Sequence, residues 1–213
     1  MKTQTKEEQS TITPEIAHDI LVKGNERFVQ NIKANRNLQE QVLQTSHGQF
    51  PFAVILSCID SRAPAELVFD QGIGDVFSVR VAGNVINNDI LGSMEFACKV
   101  AGSKIIVVMG HTKCGAVTAA CNNVDIGHIT TLLDKIKPAV EAVEATHNGD
   151  RSEIIEPVSV KNVELSIERI RAESAILREM ECAGEIEIVG AMYSVSTGEV
   201  EFYEQTSMVN ICE

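Results

Sequence analysis

The sequence of 213 residues predicts an α/β fold: a central, mostly parallel β-sheet flanked by helices, with an N-terminal helical arm and a C-terminal edge strand or hairpin. Three observations lead there. Residues 52–56 and, after a leading lysine, 104–109 are unbroken apolar runs rich in branched side chains, the pattern of strands covered on both faces. Between them, residues 89–101 set Ile90, Leu91, Met94 and Ala97 on one helical side, so strand, helix and strand alternate. Residues 185–204 then alternate apolar and polar side chains around Thr197-Gly198, as a hairpin or an edge strand with a turn does.

Taken in order, residues 1–12 are polar and are expected to lack order. Thr13-Pro14 opens a helix, because threonine can cap the orphan amides and proline is pre-set for the first turn. Ile16, Ile20, Leu21, Phe28 and Ile32 recur at helical spacing, so residues 13–36 read as a helical arm that either embraces a partner subunit or covers its own sheet. The strand at 52–56 follows, and residues 75–81 form a second strand before the helix at 89–101 and the strand at 104–109. Residues 126–146 and 158–182 read as two further helices joined by the polar stretch 147–156. Gly184 closes the second, where a positive φ costs glycine little. The chain reads as one domain over 1–213, without internal repeats.

Composition narrows the function. Eighteen basic residues stand against 30 acidic ones, a net charge of −12 that repels a phosphate backbone and excludes nucleic acid as a partner. The charge is uneven: residues 1–50 are balanced, 51–125 carry −2 and 126–213 carry −10. The longest apolar run, at 51–56, is too short to cross a bilayer, so no membrane partner is expected. Six cysteines without regular spacing suit a reducing compartment, and no apolar leader opens the chain; a cytoplasmic location is expected.

The chemistry concentrates at two strand ends. The first buried strand runs into Ser57-Cys58-Ile59-Asp60-Ser61-Arg62, and the third into Gly110-His111-Thr112-Lys113-Cys114-Gly115. Ligands collect at the carboxyl ends of strands in open α/β sheets. Two thiolates and a neutral imidazole suit zinc, and three protein ligands leave a fourth tetrahedral position for water or substrate. Singly, each residue has a plainer reading: a cysteine as a small buried hydrophobe, a histidine as a loop residue, an Asp-x-Arg as a surface ion pair. Other motifs fail by counting. A cysteine phosphatase loop needs arginine six residues after Cys58, where Pro64 stands; a dinucleotide fingerprint needs a third glycine where Phe77 stands. A zinc deaminase needs glutamate two residues after its histidine, where Lys113 stands, and Cys-x-x-Cys knuckles of a closed structural zinc site are absent.

Cys58-x-Asp60-x-Arg62 followed some fifty residues later by His111-x-x-Cys114 resembles the β-class carbonic anhydrases. Pro64, the run Gly74-Asp75-Val76-Phe77 leading to Arg80 and Asn84, and Cys114-Gly115 agree, and the resemblance spans roughly residues 14 to 204. It implies a zinc enzyme, one ion per subunit, that interconverts carbon dioxide and bicarbonate through a zinc-bound hydroxide, built as a homodimer or homotetramer. It implies Cys58, His111 and Cys114 as zinc ligands and Asp60 with Arg62 as the catalytic dyad. Gln49 and the amide of Gly115 would bind substrate, and Phe77 would wall the carbon dioxide pocket. Val81-Ala82-Gly83-Asn84 departs from the Asn-Val-Ala-Asn of many relatives, so this pocket is expected to differ in shape. One branch of the family closes its site with the aspartate on zinc and holds an inhibitory bicarbonate beside a tryptophan three residues before the first cysteine. Ile55 stands there and the chain has no tryptophan, so an open site with Asp60 paired to Arg62 is expected at neutral pH. Two alternatives remain: a carbon disulfide or carbonyl sulfide hydrolase on the same fold, and a non-catalytic structural zinc protein.

Overall fold

The computed structural model describes residues 2–147, 150–151 and 153–203. Five strands, β1 (Ala53–Ser57), β2 (Val76–Arg80), β3 (Ile105–His111), β4 (Glu187–Tyr193) and β5 (Val200–Phe202), form one sheet in the order β2-β1-β3-β4-β5. Only β5 runs antiparallel, as the return strand of the expected hairpin. Every residue of β1 and β3 is buried, which is why their sequences show no polar alternation.

One face of the sheet, with Ile55, Ile105, Val107 and Val189, is covered by α2 (Pro14–Val29) through Ala17 and Leu21 and by α4 (Ala65–Val68). The opposite face, with Val54, Leu56, Ile106 and Val108, packs against α5 (Asn88–Glu95), α9 (Ile155–Glu173) and α10 (Ala175–Cys182). A third apolar cluster lies around Cys58 and Cys114. It is built from α6 (Gly115–Cys121), α7 (Gly127–Leu133), α8 (Lys137–Glu144) and the start of α9. The sheet therefore supplies the rigid floor, and this third cluster shields what stands at its carboxyl end.

Several expectations change. Residues 1–12 are not featureless: α1 (Lys6–Ser10) carries a capping box between Thr5 and Glu8. It is pinned because buried Gln9 donates Nε2 to the carbonyls of Pro51 and Ala101, both at 2.8 Å. The arm covers its own sheet, and it stops at Val29 rather than reaching residue 36. Asn25 fastens α2 to the hairpin: its amide donates to the carbonyls of Val68 and Gly198 and accepts from the amide of Val200. A separate short helix, α3 (Leu38–Thr45), precedes β1. Beyond α5, residues 96–100 form a π-helical turn. The two long helices each break in two. Residues 134–136 separate α7 from α8, where Pro138 suits a first turn. Ser174 separates α9 from α10 because its hydroxyl accepts from the amide of Leu177 and starts a new helix. Gly184 has φ +69°, as expected of a closing residue. Glu204 and Cys212 lie outside the described residues.

Candidate metal centre

The parallel pairing of β1 with β3 places Ser57 opposite Met109, so the two strands end side by side. Cys58 follows β1 directly, His111 is the last residue of β3, and Cys114 caps the amino end of α6. Their donor atoms lie within 4.8 Å of one another, and they are the one such cluster among the described residues. All three are buried, His111 to 1 % exposure.

The imidazole is oriented for a ligand. His111 Nδ1 lies 2.9 Å from the carbonyl oxygen of Thr112, which can only accept, so Nδ1 carries the proton. That leaves Nε2 with a free lone pair, buried and without a hydrogen-bond partner. A buried acceptor left empty is costly unless something fills it. Ligand atoms about 2.0–2.3 Å from a tetrahedral ion stand roughly 3.3–3.8 Å apart; three donors within 4.8 Å of one another can close on such an ion and would leave a fourth position. The thiols share charge: the hydrogen bond from Cys114 lowers Cys58 against the cost of burial, aided by the Gly83 amide. Cys114 is pushed up in return, since its proton serves Cys58.

Asp60 stands beside the cluster, its Oδ2 3.9 Å from His111 Nε2. Arg62 grips it three times: the Arg62 amide and Nε donate to Oδ1 at 2.9 Å each, and Nη2 donates to Oδ2 at 2.8 Å. These bonds outweigh partial burial and keep the carboxyl well below the ordinary carboxylate range. The pair is held from behind. Arg80, at the end of β2, donates to the carbonyls of Cys58 and Asp60, and Tyr193 on β4 donates its hydroxyl to the carbonyl of Arg62. Glu156 accepts from the amide of Lys113, whose φ of +55° marks the tight turn between the second and third ligands. Tyr193 and Glu156 escaped sequence reasoning because they lie 131 and 43 residues from their partners and reach them only through packing.

The remaining expected residues fare differently. Gly115 is the first residue of α6, exposed beside Cys114, with nothing within 4 Å of where a Cβ would stand. Gln49 precedes β1 at the amino-terminal edge of the sheet and is exposed. Phe77 lies early in β2, opposite Val54, and packs edge-on against Phe96 at 6.4 Å. Five residues of strand span roughly 16 Å, so a single chain does not bring Gln49 to the cluster at the other end of β1.

A parallel sheet that delivers two thiols and an imidazole to one buried point, with a carboxylate fixed by a guanidinium at its rim, gives an α/β fold with a candidate metal site beside a polar dyad. Comparison with known proteins gives the family. The profile described as "Carbonic anhydrase" matches residues 53–200. "Carbonic anhydrase 2" of Mycobacterium tuberculosis is 34% identical over 191 residues, covering 87% of this chain and 90% of its own. A carbonic anhydrase of Mycolicibacterium smegmatis is 34% identical over 192 residues, covering 88% of this chain and 92% of its own. Among solved structures, the β-carbonic anhydrase CafA of Aspergillus fumigatus superposes with a TM-score of 0.74 at 27% identity, covering 82% of this chain and 85% of that one. The chain belongs to the carbonic anhydrase family, in its β class, whose general activity is the hydration of carbon dioxide.

Proposed function

We propose that this chain holds one zinc ion per subunit at Cys58, His111 and Cys114 and uses it to interconvert carbon dioxide and bicarbonate. The observation that carries the reading is the buried, unpartnered Nε2 of His111 facing two thiols beside a fixed carboxylate. Zinc in this position supplies acidification of a water molecule, so that a nucleophile is available near neutral pH.

The rest falls to the chain's own groups. Asp60, ionised, is an acceptor only: Arg62 takes both lone pairs of Oδ1 and one of Oδ2, so Oδ2, the oxygen 3.9 Å from His111 Nε2, keeps one. It accepts a hydrogen bond from the attacking water and so aims the oxygen's remaining lone pair at the carbon. Arg62, half exposed at the rim, provides positive charge toward the bicarbonate anion. The open space beside Gly115 admits a small anion to that residue's amide. Gln49 and Phe77 act from a second copy of the chain, which makes the working unit a homodimer or a homotetramer built from two such dimers. Ile73 and Phe96, 39% and 54% exposed beside the unpaired edge strand β2, give such a copy apolar surface to cover.

Stopped-flow hydration of carbon dioxide, run beside metal analysis and a sulfide-release assay with carbonyl sulfide, tests the proposal. Turnover that tracks zinc content supports it. Full zinc without hydration, or sulfide release in place of hydration, overturns it.

A further inference from the structure

Gly83 lies in the 3-10 turn at residues 82–84, with φ +67°, and the next residue, Asn84, also has a positive φ of 41°. Its N–H donates to Cys58 Sγ at 3.3 Å, while its carbonyl accepts from Asn162 Nδ2 at 2.9 Å. Gly83 and Asn162 are both buried, Asn162 to 4% exposure. One glycine is thus gripped on one side by a candidate metal thiolate and on the other by a side chain of α9.

A thiolate out of water needs donors in place of solvent, and an N–H···S bond weakens once the amide turns away. The turn does not fix that amide by itself. Two successive left-handed residues, one of them glycine, form a segment with many alternatives to lose on folding. The outside anchor is Asn162, on a helix of 19 residues whose Val163 and Ile167 are sealed against the sheet. The fit on the near side is close as well: a Cβ at Gly83 would stand 2.7 Å from Ile136 Cδ1 and 3.2 Å from Ala116 Cβ.

We propose that Asn162 is a positioning residue of the metal centre: it holds Gly83 so that its N–H faces Cys58 Sγ and stabilises that sulfur as a metal ligand. The proposal rests on the zinc reading of the cluster. If Asn162 only satisfied a buried carbonyl, its loss would lower thermal stability and leave metal binding alone.

The test compares the full chain with Asn162→Leu, which keeps the size and removes the donor, and with Asn162→Gln, which keeps a donor on a longer stem. Zinc affinity is read by chelator competition, and Cys58 alkylation by iodoacetamide in the metal-free protein is quantified by peptide mass mapping. Zinc affinity in the leucine variant is expected to fall about 10- to 100-fold, the range for partners that orient a ligand, with most of it restored in the glutamine variant. Cys58 alkylation should change with it. A leucine variant that melts lower yet binds zinc and reacts at Cys58 like the parent overturns the proposal. Should that variant not fold, the parent loaded with cadmium-113 decides: scalar coupling between the Gly83 amide proton and the metal supports the contact, and its absence overturns it. A parent that binds less than one zinc per chain sinks the zinc reading and this inference together. A zinc-replete parent with indifferent variants sinks the inference alone.

Discussion

Replacing Asp60 by asparagine separates holding the metal from orienting the nucleophile. The carboxylate accepts three bonds from Arg62 on two oxygens, at 2.8 to 2.9 Å. Asparagine has one acceptor oxygen, so if that oxygen keeps the two bonds made to Oδ1, its NH2 faces Nη2 of Arg62, donor against donor. The Arg62 side chain is 49% exposed, so water can take up what it loses, and the stability cost should stay within about 1 kcal/mol. The cost in turnover is different in kind. With its NH2 toward the cluster, the variant presents a donor where the attacking water needs an acceptor. A positioned proton acceptor is worth about 10²–10⁴ in rate, or roughly 2.7–5.4 kcal/mol of barrier. Stopped-flow hydration should therefore show kcat reduced at least about a hundredfold, with zinc content and melting temperature close to the parent. Because Arg62 holds the Asp60 carboxyl well below the ordinary range, the acceptor is present at every pH above that, and the deficit should be the same at pH 6 and pH 9. Turnover within about threefold of the parent, at full zinc, would refute the orienting role, since no orienting group of this kind is worth so little.

Cys58→Ala removes one of three donors and should leave a folded chain without zinc after dialysis, read by metal analysis beside circular dichroism; retained stoichiometric zinc would contradict the ligand assignment. Asp70→Ala strips the acceptor that takes Arg27 Nε and Arg36 Nη1 at 2.6 Å each and the Ala34 amide at 3.1 Å. Arg36 is 7% exposed, and an uncompensated buried charge costs about 3–5 kcal/mol, so Tm should fall by roughly 6–20 °C; a fall under about 3 °C would contradict the burial. The pH dependence carries its own sign. Burial alone would raise the Asp70 carboxyl, but Arg27, the Ala34 amide and Arg36 together pull it below its ordinary value. Its stabilisation is therefore complete above an unfolded value near 3.9 and disappears as pH falls through the folded one, so the Tm gap between parent and Asp70→Ala should narrow below about pH 4.

What could be read from the sequence followed from how locally each feature is determined. β1 and β3 were legible because strands buried on both faces leave an uninterrupted apolar run, yet the run in β3 stops at Met109 while the strand continues through Gly110 to His111. The strand is longer because Gly110 leaves room for Met192 and Val163, whose side chains would stand 2.7 and 2.8 Å from a Cβ there. The breaks between α7 and α8 and at Ser174 were hidden because the apolar periodicity carries on across them, and a serine in a helical stripe looks like a solvated face until its hydroxyl is seen capping Leu177. The same division runs through the site. Cys58, Asp60, Arg62, His111 and Cys114 lie at or within five residues of two neighbouring strand ends, where position in the chain dictates position in space. Asn162 and Tyr193 lie 79 and 131 residues from the groups they hold, and only the packing of α9 and β4 reveals them.

The amino-terminal segment shows why composition misleads where single contacts decide. Averaged over residues 1–12, polarity predicts a chain too poor in apolar surface to offset the entropy of ordering. The average misses that Gln9 bridges two carbonyls, Pro51 ahead of β1 and Ala101 ahead of β3, at the end of the sheet opposite the metal cluster. Ser103 Oγ also donates to the Pro51 carbonyl, at 3.1 Å, so it is at the Ala101 carbonyl that Gln9 matters most: a buried carbonyl without a partner costs about 1–3 kcal/mol, and satisfying it offsets part of the ordering of a single helical turn. The same reasoning explains how α2 lies on its own sheet instead of reaching outward. Its apolar stripe alone fits either destination. Asn25, which joins α2 to Val68, Gly198 and Val200 in three buried or half-buried bonds, fits only one.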